Sequence, residues 1–244
     1  MEEERGELKY GKGVGITSLL YCPLKWEYRQ RYPEIKAEKV EIDDGFAWEL
    51  VVKEAVKSKY GAENVEEEKV LVERFEEEDF VVEGHLDLFV KSESIGIELK
   101  HTKLTIVDFP VSPDMADIIE EGDWVADKIP VNETYLLQAR AELYFLKKEN
   151  PKAEVRLWVK TTLKGSNRKY KKVIFEKVVR EPLRREEMLD LIKRFKEEKI
   201  PRYGWECRYC GYRAVCEFYH SVESKHSVES KRSVAEEVQC VEGL

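Results

Sequence analysis

Three cysteines fall within ten residues, 207–216, in the string ECRYCGYRAVC: a C-x2-C pair, then a third after five more positions. Such a pair can place two thiolates on one metal centre, and the third can reach it after one turn of chain. Soft thiolates select zinc or an iron–sulfur cluster. Either accepts four cysteines, so the spacing leaves both open beside a coincidence of thiols. The fourth ligand comes from Cys22 or Cys240. Cys240 lies beyond a low-complexity tail, which makes Cys22 the better candidate and ties the N-terminal helix to the C-terminal segment. Five cysteines are an odd count, and no secretion signal leads the chain, so a disulfide framework is not expected. Tyr21, Trp26, Tyr203, Trp205, Tyr209, Tyr212 and Phe218 crowd the same neighbourhoods. They suit the shielding of a small module first and stacking on nucleobases second.

A second constellation is D-x10-E-x-K, formed by Asp87, Glu98 and Lys100. Two carboxylates on adjacent strands can hold a hard divalent cation, joined by the Leu99 carbonyl. Such a cation polarises a scissile phosphate and lowers the pKa of its bound water. Lys100 can orient or deprotonate that water and offset phosphate charge. In a chain this charged the string also arises as an exposed, salt-bridged hairpin; a buried back face would distinguish the two.

The elements that must position these groups are legible as alternating runs. In FVVEGHLDLFV, Val82, Leu86, Leu88 and Val90 point one way and Glu83, His85 and Asp87 the other. In SIGIELKHT, Ile95, Ile97 and Leu99 share one face, Glu98 and Lys100 the opposite one. Period two in both, joined across 91–94, predicts a hairpin with an apolar back and a charged front. Upstream, Thr17 caps a short helix with a restart at Pro23. Residues 46–60 read as a helix with Phe46, Leu50, Ala55 and Val56 as its apolar face. The acidic stretch 62–79 reads as an exposed strand around 70–72 and a charged turn. Residues 108–131 read as a long excursion or lid. Asn132 caps a helix through Leu146 that packs with Leu136, Leu137, Ala141 and Tyr144. A second hairpin (155–161 and 171–179), a basic amphipathic helix (184–199) and the cysteine segment follow. The tail repeats HSVESK at 220–225 and 226–231 and is read as disordered or helical.

The chain has 244 residues and 28.7 kDa, 42% of them apolar, enough for a core. No run reaches the roughly 18 apolar residues of a membrane span, so a soluble, cytoplasmic protein with no membrane partner is expected. The net charge of −8 hides an asymmetry. Residues 147–216 carry 21 Lys/Arg against 10 Asp/Glu, the remainder 21 against 40. A concentrated basic third suits a polyanion-binding face, because local field steers a ligand; solvated element surfaces would carry the same count.

Together these residues resemble the RecB-like nucleases of the PD-(D/E)XK fold, and most nearly the CRISPR-associated exonuclease family that carries a four-iron cluster. GHLDLF with Asp87 resembles that family's second nuclease motif, IELK with Glu98 and Lys100 its third. SLLYCPLKW around Cys22 resembles its N-terminal cluster cysteine and CRYCGYRAVC its C-terminal three. The resemblance spans roughly residues 16–218, in the expected order. It implies an α/β fold: a restriction-endonuclease-like core with a mixed central sheet flanked by helices, as one nuclease domain over 1–218. A small iron–sulfur module from 17–32 and 200–218 would join the two ends, with 219–244 a tail. The resemblance further implies a 4Fe-4S cluster on Cys22, Cys207, Cys210 and Cys216, and Mn2+ or Mg2+ on Asp87, Glu98 and the Leu99 carbonyl. It implies cutting of DNA, often from single-stranded ends, and prespacer trimming with the CRISPR spacer integrase. Gln138 would position substrate.

Two departures stand out. Where the family has Gly-x-x-His-Glu, this chain reads Gly45-Phe46-Ala47-Trp48-Glu49; Trp48 cannot ligate a cation, which leaves Glu49 to compensate. Where it has Gln-x-x-x-Tyr, this chain has Gln138 and Glu142. His85 and His101 flank the site as hydrogen-bonding partners; His220 and His226 belong to the tail repeat. The competing expectations are an inactive iron–sulfur DNA-binding subunit of the same fold and a zinc-stabilised interaction protein.

Overall fold

The computed structural model describes residues 13–35, 43–107, 133–164, 170–203 and 206–221. Asn132, the 108–131 excursion, Trp205, Cys240 and the tail repeat from 222 onward lie outside them. The chain divides into two compact units. One is drawn from Met1–Leu20 and Val40–Arg194, the other from Tyr21–Lys39 and Phe195–Leu244.

The first unit is an α/β layer structure on a six-stranded mixed sheet among the described residues. Strand β1 (Val14–Gly15) leads into helix α1 (Ile16–Leu20). Helix α3 (Asp43–Tyr60) precedes β2 (Val65–Phe75), β3 (Phe80–Val90) and β4 (Ile95–Val107). Helix α4 (Glu133–Glu149) crosses to β5 (Glu154–Lys164); β6 (Tyr170–Val179) and α5 (Arg185–Glu197) follow. Strand β3 pairs with β2 antiparallel and with β1 in parallel, β4 pairs with β5 in parallel, and β5 with β6 antiparallel. The parallel β4–β5 pair needs the crossover that α4 supplies.

The expected first hairpin forms, but its two strands stay paired for only three residues, Val90↔Ile95 to Leu88↔Ile97. Beyond that they part at Asp87 and Glu98. Strand β3 also changes face there. Leu88 and Val90 join Ile95, Ile97 and Leu99 in the cluster under α3. Leu86 lies on the other side: a Cβ built on Gly96 would meet Leu86 Cδ1 and Leu146 Cδ1 of α4, both at 3.0 Å. The sequence expectation that Val82, Leu86, Leu88 and Val90 share one face is thus corrected. All are buried, but on two sides of the sheet, because the β2–β3 ladder skips the pair Glu68 and Asp87. Glu68 takes φ +52°, a backbone conformation that turns the strand.

Helix α3 also differs from its expected face. Trp48, Val52 and Val56, four residues apart, pack on the sheet, whereas Leu50 is 49% and Val51 69% exposed and Ala55 is exposed. Trp48, conspicuous in the sequence as a missing ligand, is a core residue. On α4 the buried residues are Thr134, Gln138, Ala139, Ala141, Glu142, Leu143, Phe145 and Leu146, with Leu136, Leu137 and Tyr144 only half-buried. Two of the innermost residues are polar, a face that hydrophobic periodicity cannot anticipate. The edge strand β2 leaves Val70 and Val72 exposed, as expected.

The second unit holds helix α2 (Pro23–Arg31), the end of α5, short 3-10 turns at Glu206–Tyr209 and Arg213–Val215, and a last turn at 217–221. Its small core is aromatic: Tyr28 and Tyr212 lie with ring centroids 6.2 Å apart, packed with Cys216, Leu24 and Phe218. Trp26 meets Phe195 edge-on at 5.7 Å. Of the aromatics expected to shield this module, Trp26, Tyr212 and Phe218 pack here, while Trp205 and the Tyr209 side chain lie outside the described residues.

Candidate functional site

Where β3 and β4 part, the backbone N–H of Leu99 turns to a side chain, donating to Asp87 Oδ2 at 2.6 Å. Asp87 thus replaces a strand partner and stands opposite Glu98. Burial raises the pKa of Asp87; the Leu99 N–H and Lys100 act against that rise, while Glu49 adds to it. Glu98 is 1% exposed. Burial pushes its carboxyl up to about 7; the Lys100 charge opposes this and the Asp87 charge adds to it.

Glu98 Oε1 accepts from two donors: the ammonium of Lys100 and, at 2.6 Å, Gln138 Nε2 of α4. Gln138 Nε2 also donates to Glu142 Oε1 at 2.8 Å. The remaining oxygens, Glu98 Oε2 and Glu142 Oε2, are buried with no hydrogen-bond partner. Glu142 is fully buried, and its carboxyl is held well above the ordinary range, by burial first and by Glu98 second. Burial works against the charge on Lys100, but Glu98, Glu142 and Asp87 outweigh it and raise its pKa.

On the other flank, α3 brings Glu49 and Lys53 together at 2.7 Å, one turn apart. Lys53 is buried, with Glu67 Oε2 at 3.7 Å and Glu68 Oε1 at 3.8 Å. Lys53 lowers the Asp87 pKa through space, so both lysines act on Asp87. Trp48 Nε1 is buried without a partner. His85 is exposed on β3, and His101, paired with Lys160 of β5, makes contacts of its own.

Asp87, Glu98, Lys100 and Gln138 are thus brought together, with Glu49 within electrostatic reach. Sequence reasoning left Glu142 and Lys53 out of the site. The usable signal was helical spacing, Gln138 to Glu142 and Glu49 to Lys53, each pair four residues apart. The basic count, by contrast, overstated the free cationic surface. Arg185 pairs with Glu73 and Glu77, Lys148 with Glu73, and Lys199 with Glu27, all acids from outside the basic third.

In the second unit, Cys22, Cys207, Cys210 and Cys216 line one cavity of about 320 Å³, together with Tyr21, Leu24, Tyr28 and Phe218. None of the four is in a disulfide. Burial pushes the Cys22 thiol up to about 11, with the Glu206 carboxylate and Cys207 adding to it; burial also raises Cys207. Glu206, absent from the sequence-derived site, links the two segments. Its Oε2 accepts from the Cys22 N–H at 2.7 Å and its Oε1 from the Tyr203 N–H at 2.7 Å. The four thiols share a cavity wall without converging on a point. Among the described residues no group of three or more His, Cys, Asp or Glu side chains is close enough to hold a single metal ion.

No family model matches the sequence, and no curated protein matches it significantly. The solved structure of SSO0001 superposes with a TM-score of 0.60 at 19% identity, covering 84% of this chain and 86% of that one. A candidate exonuclease from Eubacterium rectale covers 80% of this chain and 67% of its own at 10% identity, with a TM-score of 0.33, too loose to bear on fold or chemistry. Among the described residues no helix is long and apolar enough to cross a membrane. The comparisons therefore show that this chain shares the fold of SSO0001, a mixed sheet flanked by helices.

Proposed function

We propose that this chain is a divalent-metal-dependent nuclease that hydrolyses DNA phosphodiesters from single-stranded ends. The observation that carries this reading is the opened β3–β4 seam. There Asp87 and Glu98 face each other, Lys100 is the cation between them, and Glu98 keeps one buried oxygen without a partner. A buried, partnerless carboxylate oxygen is costly unless a ligand uses it, and an acid pair with an oxygen donor suits Mg2+ or Mn2+. Asp87, Glu98 and the Leu99 carbonyl would hold the ion, with Glu49 adding its charge from α3. When bound, such an ion supplies Lewis-acid polarisation of the phosphate and an activated water. Lys100 holds the water and offsets phosphate charge, and Gln138 fixes Glu98 from behind. The motif order of the nuclease and cysteine strings supports a place in CRISPR adaptation, trimming prespacers beside the integrase.

The same reading assigns a 4Fe-4S cluster to Cys22, Cys207, Cys210 and Cys216. The cavity is about 320 Å³, roughly ten times one water's share of liquid volume. The four thiols on its wall are soft donors of the kind such a cluster takes. The cluster would hold the two sequence segments of its unit together.

Cleavage of an end-labelled single strand in Mn2+ tests the enzyme. Wild type should degrade it, and Lys100→Ala should bind but cut at least about 10²-fold more slowly. Equal rates would reject the assignment. One observation favours a second reading, a cutting-incompetent DNA-binding subunit: Trp48 is packed among Val52 and Leu99 where the resembled family has a ligand. DNA binding without cleavage in either metal would establish it. Anaerobic purification tests the cluster: about four irons and four sulfides per chain support it, and stoichiometric zinc replaces it.

A further inference from the structure

The buried polar stripe of α4 holds a residue that the proposed chemistry does not use. Glu142 is fully buried beneath the sheet, its Cγ 3.7 Å from where a Cβ on Gly84 would stand. A carboxyl in such a place is a burden on the fold unless it does something, since an apolar residue of similar size would pack there without desolvation cost. Among the described residues its hydrogen-bond partner is Gln138 Nε2, which also donates to Glu98 Oε1. Only the NH2 end of a carboxamide can lie between two carboxylate oxygens, so the orientation of Gln138 is dictated by the pair of acids on either side of it.

We propose that Glu142 is a positioning residue of the carboxylate site: it holds the Gln138 amide so that both hydrogens are committed, which pins Glu98 by Oε1 and leaves Oε2 for the cation. The chain of contacts is Glu142 Oε1, Gln138 Nε2, Glu98 Oε1, with the Lys100 ammonium completing the shell of that last oxygen. Without Glu142 the second amide N–H loses its acceptor and the carboxamide is held through Glu98 alone, so its hold on Oε1 loosens. This inference rests on the metal-dependent reading of Glu98.

The test uses the full chain and Mn2+ alone, with binding followed by titration calorimetry and unfolding followed without added metal. Glu142→Leu removes the acceptor, and Glu142→Gln keeps one oxygen facing Gln138. Glu142→Leu should bind Mn2+ about tenfold more weakly while melting no lower than wild type. Glu142→Gln should stay within about twofold of wild type. Gln138→Leu should lose the same factor, and the Gln138→Leu/Glu142→Leu double variant no more than either alone, as expected for residues acting through one contact. Wild-type affinity in Glu142→Leu would overturn the proposal. So would a melting temperature that falls in step with affinity, or a Glu142→Gln variant as damaged as Glu142→Leu, which would make the carboxylate itself a ligand. If Glu142→Leu does not fold, the Gln138→Leu and Glu142→Gln pair decides on the same terms. Glu98→Ala separates the two levels. Unchanged Mn2+ affinity there sinks the metal reading, whereas its loss alongside an indifferent Glu142 sinks only the positioning role.

Discussion

At the scale of single residues, the charge states around Glu98 decide what the site can do and how it responds to pH. The folded Glu98 carboxyl titrates near about 7, against an ordinary value of 4.5. Between those values the folded chain keeps a proton that the unfolded chain has released. Stability from this group is therefore present at low pH and lost as pH rises through that window. Glu142 shifts in the same direction. Without divalent metal, the melting temperature should rise as pH falls from about 7.5 to about 5.5, and Glu98→Gln should flatten that slope in a calorimetric series. A cation needs the ionised carboxylate, so Mn2+ affinity should climb over the same interval in the opposite sense. Opposed slopes for empty and loaded protein identify Glu98; parallel slopes would reject it as a ligand.

At the scale of elements, the site depends on an irregular residue in β2 and a close approach in β3. Glu68, at φ +52°, is the residue opposite Asp87 in the interrupted ladder. Its side chain is 76% exposed. Glycine accepts that backbone freely, so Glu68→Gly should be neutral or stabilising by at most about 1 kcal/mol. The same change at Glu66, in regular pairing with Phe89, should cost about 0.5–1 kcal/mol in a denaturant melt. Gly84 is the other: a Cβ there would lie 2.7 Å from Ile16 Cδ1. Gly84→Ala should destabilise by about 1–3 kcal/mol, as overpacking does, and a loss of Mn2+ binding beyond that of a remote destabilised variant would show that α4 had moved.

The alternation of FVVEGHLDLFV and SIGIELKHT was legible in the sequence because side chains alternate on any strand. The change of face at Asp87 was not, since a local backbone turn at Glu68 carries no hydrophobic signature. Nor was the inward stripe of α4 legible, because Gln138 and Glu142 are buried by what they bond to and not by their polarity. Helix α3 was misread for the converse reason. Trp48, the largest side chain on its buried face, drew notice as a replaced ligand and not as core.

At the scale of the whole molecule, two sequence segments 184 residues apart meet at Glu206 and Cys22. The second unit has little apolar core beyond its aromatics, so its assembly leans on that carboxylate. Glu206→Ala should lower iron per chain after anaerobic purification at least about twofold and speed proteolysis of the unit, by removing two charge-assisted bonds. Glu206→Gln, which keeps one acceptor oxygen, should fall between. Equal iron in all three proteins would show that Cys22 needs no such clasp. Because thiols must lose their protons to bind metal and burial raises Cys22 and Cys207 further, loading should release protons into weakly buffered solution.

The amide of Leu99 has a consequence of its own. Strand β4 completes its hydrogen bonding there by leaning on Asp87, so on the proposed reading one carboxylate would serve the sheet and the ion at once. Removing the Asp87 charge loosens a stitch in the fabric, and fixing its other oxygen tightens it. Deuterium uptake at this one peptide group should then report on site occupancy, slowing when Mn2+ arrives and quickening in Asp87→Asn. The molecule would carry in its own backbone a gauge of whether it is armed.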